Sequence, residues 1–421
     1  MSNWDKKMIV PRIRFKMFDG EWESPSISGI FELRNGYTPS KFNNSYWVNG
    51  TIPWFRMEDI RTNGGILKDA IQHITTSAVK GAGLFQKNSI ILATTATIGE
   101  HAMVIADSLA NQRFTNFSIR KSLKNEYDPL YVYYAFYKID EWSKKNVNSG
   151  GLLAVNIKEL LKQPFCAPLI LEQKEIAQYF HSLDSLIQAT ERKIASLKQI
   201  KEASLQAMFP AEGETVPKVR FKGFEGEWKN MVIGKAGNTF SGLIGKNKLD
   251  FGVGEARYIT FLNVLNNAQI DTDILEFVNV SKDEHQNDVQ IGDLFFNTSS
   301  ETPEEVGMCS VLTQDVSNVY LNSFCFGFRI SDNNVCPEYL AYLMRGPIGR
   351  RIMSVLAQGA TRFNLSKNNF LKASIPRPKD FAEQRKIASY FIALDKQISI
   401  QKQRLEKLKQ IKSACLDAMF V

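Results

Sequence analysis

Two stretches of 38 residues, Glu172 to Phe209 and Glu383 to Phe420, are copies of one another: aligned without a gap, half of their positions are identical. Neither contains Pro or Gly, and both are rich in Lys, Glu, Gln, Leu and Ala, which favour helix. Two long helices are therefore predicted, each closing one half of the chain. Their apolar residues follow a heptad pattern. Phe180, Ile187 and Ile194 fall seven apart in the first copy, with Leu183 and Leu197 on the adjoining seam. Phe391, Ile398 and Leu405, with Leu394 and Leu408, repeat the pattern in the second. Thr190 and Gln401 place a polar residue at the same point of both seams, a feature that fixes register at some cost in stability. Two such helices most simply pair with each other as an antiparallel coiled coil. The alternative is that each packs only on its own domain.

The repeat extends beyond the helices. Pro11 to Trp22 (PRIRFKMFDGEW) and Pro217 to Trp228 (PKVRFKGFEGEW) open the two halves. This basic-aromatic opener admits two readings: contact with nucleic acid, or an edge strand whose Phe and Trp pin each domain to its following helix, the second being preferred. Next come dissimilar bodies. The first contains GYTPS (Gly36 to Ser40), TIPWFRMEDI (Thr51 to Ile60) and SIILATTATIG (Ser89 to Gly99). The second contains ARYITFLNVL (Ala256 to Leu265) and GDLFFNTSS (Gly292 to Ser300). Runs of β-branched and aromatic residues broken by Gly, Asn and Asp predict mostly β structure. In each body an apolar strand ends in hydroxyl residues, Thr94, Thr95 and Thr97 against Thr298, Ser299 and Ser300, although Lys87-Asn88 stands where the second body has Gly292-Asp293. The halves converge again at Pro129 and Pro337, each starting a short amphipathic helix. Gly151 aligns with Gly359, Asn156 with Asn364, and Pro168 with Pro376, followed by an insertion of three residues in the second half. The segmentation is 1–171, first head; 172–209, first long helix; 210–382, linker and second head; 383–421, second long helix. The class is α+β, with two α/β domains in tandem joined by two long antiparallel helices.

Composition excludes more than it identifies. Apolar content of 44% is ordinary for a globular protein, and the net charge of +8 permits a polyanionic partner. No apolar run approaches the ~20 residues of a membrane span, and the opening residues lack the apolar core of a signal peptide. A cytoplasmic protein without membrane association is expected. Five scattered cysteines without CxxC spacing predict reduced thiols and no zinc site. The phosphate-binding loop is missing, since Gly242-Leu-Ile-Gly245-Lys246-Asn247 has the wrong spacing. No two prolines are adjacent, which removes the Pro-Pro-aromatic motif of amino-methyltransferases. The four histidines are far apart. Asp184, Glu191 and Lys193 resemble a nuclease triad in type only; they share one helix, where a solvated face explains them better.

Two similar domains joined by paired helices suit a target with an approximate twofold of its own, and duplex DNA is one. A helix of this length spans about 57 Å, or roughly 15 base pairs. Shared frames with different bodies predict an asymmetric target read as two short half-sites. The expected readers pair Arg or Lys with guanine and Gln or Asn with adenine. Candidates are Arg56, Arg61, Thr94, Thr95, Gln112 and Arg113 in the first head, and Asn297, Thr298, Ser299, Ser300 and Arg362 in the second. Asn364 is a further candidate that also fits a structural role.

The chain resembles the specificity subunit of type I restriction-modification systems. The resemblance lies in the paired EQ(K/R)xIAxYFxxLD…LKQIKxAxLxAMF helices, the PxxRFxxFxGEW openers, and the GDLFF and NQR elements at 292–296 and 111–113. It implies two target recognition domains on double-stranded DNA, separated by a coiled-coil spacer. It also implies a non-catalytic chain that binds no cofactor itself. Two copies of a DNA adenine methyltransferase subunit would supply S-adenosylmethionine chemistry, and a restriction/translocase subunit would use ATP and Mg2+. Lys198, Gln199, Lys201, Lys409, Gln410 and Lys412 would then serve the spacer and the shared partner. The rival readings are a coiled-coil scaffold that never touches DNA, and a self-sufficient nuclease.

Overall fold

The computed structural model describes residues 9–81, 83–148, 153–281 and 283–421. The first eight residues, within the stretch judged to lack a leader's apolar core, and Gly151 lie outside them. The first long helix runs Ile170–Ala207 and the second Phe381–Met419. The chain forms two compact units, residues 1–191 with 404–421, and residues 192–403. Each unit therefore holds a head, the start of the helix that follows it, and the last turns of the helix from the other half. The sequence segmentation had set the helices apart from the heads.

Within each unit the two helices run antiparallel. In the first, Tyr179 Oη meets Cys415 Sγ at 3.3 Å, Lys412 Nζ donates to Asp184 at 2.5 Å, and Lys409 pairs with Glu191 at 3.0 Å. In the second, Ser204 meets Tyr390 at 2.9 Å and Lys201 donates to Asp395 at 2.5 Å. Phe180, Leu183, Ile187, Ile194, Phe391 and Ile398 are buried, as are Thr190 and Gln401. Leu197, Leu394, Leu405 and Leu408 are half-buried. Thr190 satisfies its hydroxyl on its own helix, donating to Leu186 O at 2.7 Å.

The incoming helix end completes each head's core. Phe420 stacks on Phe180 at 5.6 Å and lies 5.5 Å from Tyr131, while Phe209 stacks on Phe391 at 5.9 Å and lies 5.7 Å from Tyr339. Full burial of one such ring contributes on the order of 1.5–3 kcal/mol. A polar cluster accompanies the aromatic one. Tyr134 donates to Asp184 and Tyr342 to Asp395, each at 2.9 Å, and Lys412 and Lys201 lie over the respective phenol rings. Burial, then the neighbouring aspartate, pushes both phenols well up from their ordinary range.

The openers are irregular turns, not edge strands. Their task is an ion pair repeated in each unit. Arg14 grips Glu172 through Nε at 2.7 Å and Nη2 at 2.6 Å, and also donates to the carbonyls of Asp19 and Gly20. Arg220 grips Glu383 in the same way, at 2.7 and 2.8 Å, and donates to Glu225 O and Gly226 O. Both carboxylates are almost fully buried in the first turn of a long helix, where the helix dipole favours negative charge. Trp22 and Trp228 pack edge-on against Tyr131 and Tyr339. The pinning role holds, and loop geometry delivers it because the arginine needs two turn carbonyls beside the carboxylate.

The dissimilar bodies share the order of four main-sheet strands, to which the first head adds a fifth. The main sheet of the first head runs Phe31–Asn35, Phe114–Ile119, Ser89–Ala93, His101–Val104, Ile66–Leu67. That of the second runs Gly237–Ser241, Cys325–Ile330, Leu294–Asn297, Cys309–Val311. A second sheet pairs Ile52–Phe55 parallel with Leu109–Ala110, matched by Phe251–Ile259 on Val319–Leu321. The missing Gly-Asp of the first head is explained by its turn. Asn88 (φ 64°) takes the left-handed conformation that Gly292 (φ 87°) takes, and Asn tolerates it. The strand ends are thus equivalent, with Asn88 at the place of Gly292 and Ser89 at that of Asp293. Thr94 O accepts from Val155 N, and Thr298 O from Leu365 N. This makes Ser366 the counterpart of Asn156, each standing just before a short helix that only the Asn156 side chain caps, and corrects the alignment with Asn364. Gln173 donates to Pro168 O and Gln384 to Pro378 O, so Pro168 corresponds to Pro378 and the insertion is one residue. The helices begun at the other two prolines are Pro129–Lys145, longer than expected, and Pro337–Arg345.

Candidate nucleic-acid interface

Three stretches far apart in sequence converge on one cleft of about 650 Å3 in the first head. GYTPS supplies Thr38. The Ile52–Phe55 strand, with the helix Met57–Asn63 that follows it, supplies Trp54, Arg56, Glu58 and Arg61. The NQR element supplies Asn111, Gln112 and Arg113. The helix start is fixed by Asp59, fully buried, which accepts from Arg56 N and Ile71 N, both at 2.7 Å. The loop Asn111–Arg113 is fixed by Asn111 N donating to Phe55 O, by Arg113 N donating to Asn111 Oδ1, and by Thr94 N donating to Arg113 O. Gly36 lies so close to the carbonyls of Ala110 and Asn111 that a Cβ has no room.

Backbone polar groups are thus satisfied inside, and side chains face outward. The Arg56 guanidinium sits 5.9 Å from the Trp54 ring centroid, pairs with Glu58 at 3.1 Å, and has an Nε donor with no partner in the protein. Gln112 Oε1 accepts from Thr38 at 2.5 Å, which orients its amide. Lys41, Arg56, Arg61 and Arg113 face one carboxylate, Glu58, among the lining residues. A rigid cationic cleft with planar donors and the Gln112 amide can grip phosphates and hydrogen-bond base edges.

The cleft brings together Arg56, Arg61, Gln112 and Arg113 and leaves two first-head candidates behind it. Thr94 is 8% exposed, with its hydroxyl near Arg113 O, and so holds the loop in place; Thr95 bridges to Ala154. In the second head Asn297 is fully enclosed and cannot offer an edge to a base. Its amide donates to Ser299 O and Glu305 O and accepts from Met308 N. Thr298 donates to Phe324 O, Ser299 accepts from Arg362 Nε, and Ser300 donates to Glu305. Ser299–Ser300 and Phe363–Leu365, which carries Asn364, are neighbouring strands of a small sheet. Arg362 is exposed.

The structural counterpart of the first-head cleft lies elsewhere, on residues the sequence did not single out. Asn322 N donates to Ile259 O, Phe324 N to Asn322 Oδ1, and Thr298 N to Phe324 O. These bonds repeat those of Asn111, Arg113 and Thr94. Leu243 N donates to Leu321 O as Tyr37 N does to Ala110 O, and Asp271 N to Asn263 as Ile71 N to Asp59. Phe324 therefore stands where Arg113 does, Ser323 for Gln112, Thr260 for Arg56, Leu262 for Glu58 and Ile244 for Thr38. In the first head Thr38, Lys41, Trp54 and Glu58 were also missed as lining residues. The signal available was that Thr38, Trp54 and Glu58 lie within GYTPS and TIPWFRMEDI, stretches already singled out, the first following a strand of the main sheet and the second containing a strand of the other. On the long helices, Lys198 is exposed, whereas Lys201 and Lys412 are held by aspartates of their own units.

Comparison with known proteins agrees with this duplication. The family model described as type I restriction modification DNA specificity domain matches residues 19–199 and again 225–410. The chain is 46% identical over 143 residues to the type I restriction enzyme EcoprrI specificity subunit of Escherichia coli, covering 34% of this chain and 36% of that one. It is 30% identical over 187 residues to the MjaIX specificity subunit of Methanocaldococcus jannaschii, covering 43% and 42%. The match thus spans well under half the length of either relative. Among solved structures, the S subunit of a type I restriction-modification system from M. genitalium superposes with a TM-score of 0.59 at 16% identity, covering 98% of this chain and 99% of that one. At 16% identity this likeness shows the fold alone.

Proposed function

The chain belongs to the type I restriction modification DNA specificity family, and we propose that it is the DNA-recognition subunit of such a complex, reading an asymmetric bipartite target with one half-site per head. The observation that carries the reading is one hydrogen-bonded frame occurring twice with different side chains at its mouth: Arg56, Gln112 and Arg113 in one head, Thr260, Ser323 and Phe324 in the other. Shared frames give the heads a common mode of docking, and different mouths give them different sequences to read. The chain itself catalyses nothing in this reading. Two adenine methyltransferase subunits bring S-adenosylmethionine, and a restriction/translocase subunit brings ATP and Mg2+. No helix among the described residues is long and apolar enough to cross a membrane. The place of action is the cytoplasm, where the DNA is.

The test is co-expression with a candidate type I methyltransferase subunit and genome-wide mapping of N6-methyladenine. A new asymmetric two-part motif, methylated once on each strand, is the expected result. A stably assembled, active methyltransferase that yields no motif would refute the reading and favour the scaffold.

A further inference from the structure

The counterpart of the first head's cleft has lost its cations and gained exposed hydrocarbon. Phe324, Leu262 and Ile244 are 59%, 62% and 64% exposed. They are held in place firmly. Phe324 N donates to Asn322 Oδ1 at 2.8 Å, and Phe324 O accepts from Thr298 N at 3.0 Å and from Thr298 Oγ1 at 2.7 Å. The Gln286 amide accepts from Ile244 N and donates to Ile244 O, at 3.0 and 2.9 Å. Leu262 rides on the helix Phe261–Asn266, whose start is capped by the Thr260 hydroxyl. Their equivalence to Arg113, Glu58 and Thr38 puts these three exposed side chains at the mouth of the same frame, and exposed apolar groups gathered at one place mark a binding surface. In the major groove of duplex DNA the apolar group on offer is the 5-methyl of thymine, and Phe is among the side chains that contact it.

We propose that the second head reads its half-site at this surface, and that Phe324, Leu262 and Ile244 select thymine by packing against 5-methyl groups. Thr260 and Ser323 supply short hydrogen bonds to adjoining base edges. The proposal rests on the DNA-recognition reading above. It gives the two heads contrasting chemistry: arginine and glutamine reading purine hydrogen-bond edges in one, hydrocarbon reading methyl groups in the other.

The experiment uses the full chain assembled with its methyltransferase and duplexes carrying the motif that the complex methylates. Arg113→Ala assigns one half-site to the first head. In the other half-site every thymine is replaced by deoxyuridine, which keeps all hydrogen-bonding groups and removes only the methyl. Affinity is expected to fall about fourfold for each contacted methyl. Phe324→Ala is expected to weaken binding and to erase the difference between thymine and deoxyuridine duplexes. Phe324→Arg is expected to move the methylated motif toward guanine at one position. Phe324 is exposed, so these variants remove no core contact, and assembly with the methyltransferase checks their folding. Equal binding of both duplexes by the unaltered complex overturns the proposal, as does undiminished discrimination in both Phe324→Ala and Leu262→Ala. In those cases the motif and the Arg113→Ala effect survive, and DNA recognition stands. Loss of methyltransferase assembly with base preference intact overturns it in favour of a protein-docking surface. Absence of any motif overturns both readings.

Discussion

Replacing Arg220 with alanine should strand a buried carboxylate. The Glu383 side chain is 2% exposed and that of Arg220 15%, and the guanidinium also holds two turn carbonyls of the opener. An exposed ion pair contributes about 0–1 kcal/mol. Breaking a buried one by deleting one partner costs about 3–5 kcal/mol, because the other charge is left uncompensated. The opening left by the arginine lets water reach Glu383, which puts the loss at the lower end, about 3 kcal/mol. For a unit of about 200 residues that lowers Tm by roughly 6–12 °C. Scanning calorimetry gives the loss, and hydrogen exchange locates it, with amides in 192–403 losing protection. Adding Glu383→Gln removes the stranded charge and should recover at least about 1.5 kcal/mol of it. A loss below about 1 kcal/mol in Arg220→Ala would refute the reasoning. So would simple additivity in the double variant. Arg14→Ala is the parallel case, acting through Glu172.

Phe420→Ala removes a buried ring from the first head's core, and a loss of about 3–5 kcal/mol is expected in urea unfolding. Arg56→Ala and Arg113→Ala should each weaken DNA binding by about 1–3 kcal/mol and relax the methylated motif in one half-site only; relaxation of both in motif mapping would contradict independent heads. Gly36→Ala forces a Cβ into the Asn111 carbonyl, so protease resistance of the first head should drop while that of the second persists. Burial raises Tyr131 and Tyr339 well above 10.0, with Tyr134 and Tyr342 raised alongside. Their folded pKa values exceed the unfolded value, so the stability they contribute is complete below about pH 10 and falls as pH rises beyond it. Tyrosinate absorbance of these four should therefore appear together with unfolding rather than before it.

The sequence by itself determined the duplication, the two helices and their seams. These are local properties: a run without Pro or Gly and a heptad period can be read residue by residue, and repetition needs only comparison. It also marked Arg14, Arg220 and the two tryptophans by recurrence, and it placed GYTPS, TIPWFRMEDI and NQR among the stretches of interest. Only the tertiary structure decided what these do. Recurrence of Arg14 cannot distinguish a phosphate contact from a partner for Glu172, 158 residues away. The heptad seam does not say that Lys412 belongs to Asp184 and Lys201 to Asp395, because each pair joins opposite halves of the chain. In the second head Asn297 fails as a base reader for a related reason. Asn297 to Ser300 have the right functional groups for base reading, but the strand end closes over Asn297 and spends its amide on the backbone. Phe324 and Leu262 went unmarked, since hydrophobic type alone carries no information about which side of a loop faces water. That is settled by the bonds from Asn322 and Thr298, which hold the loop with its phenylalanine turned outward.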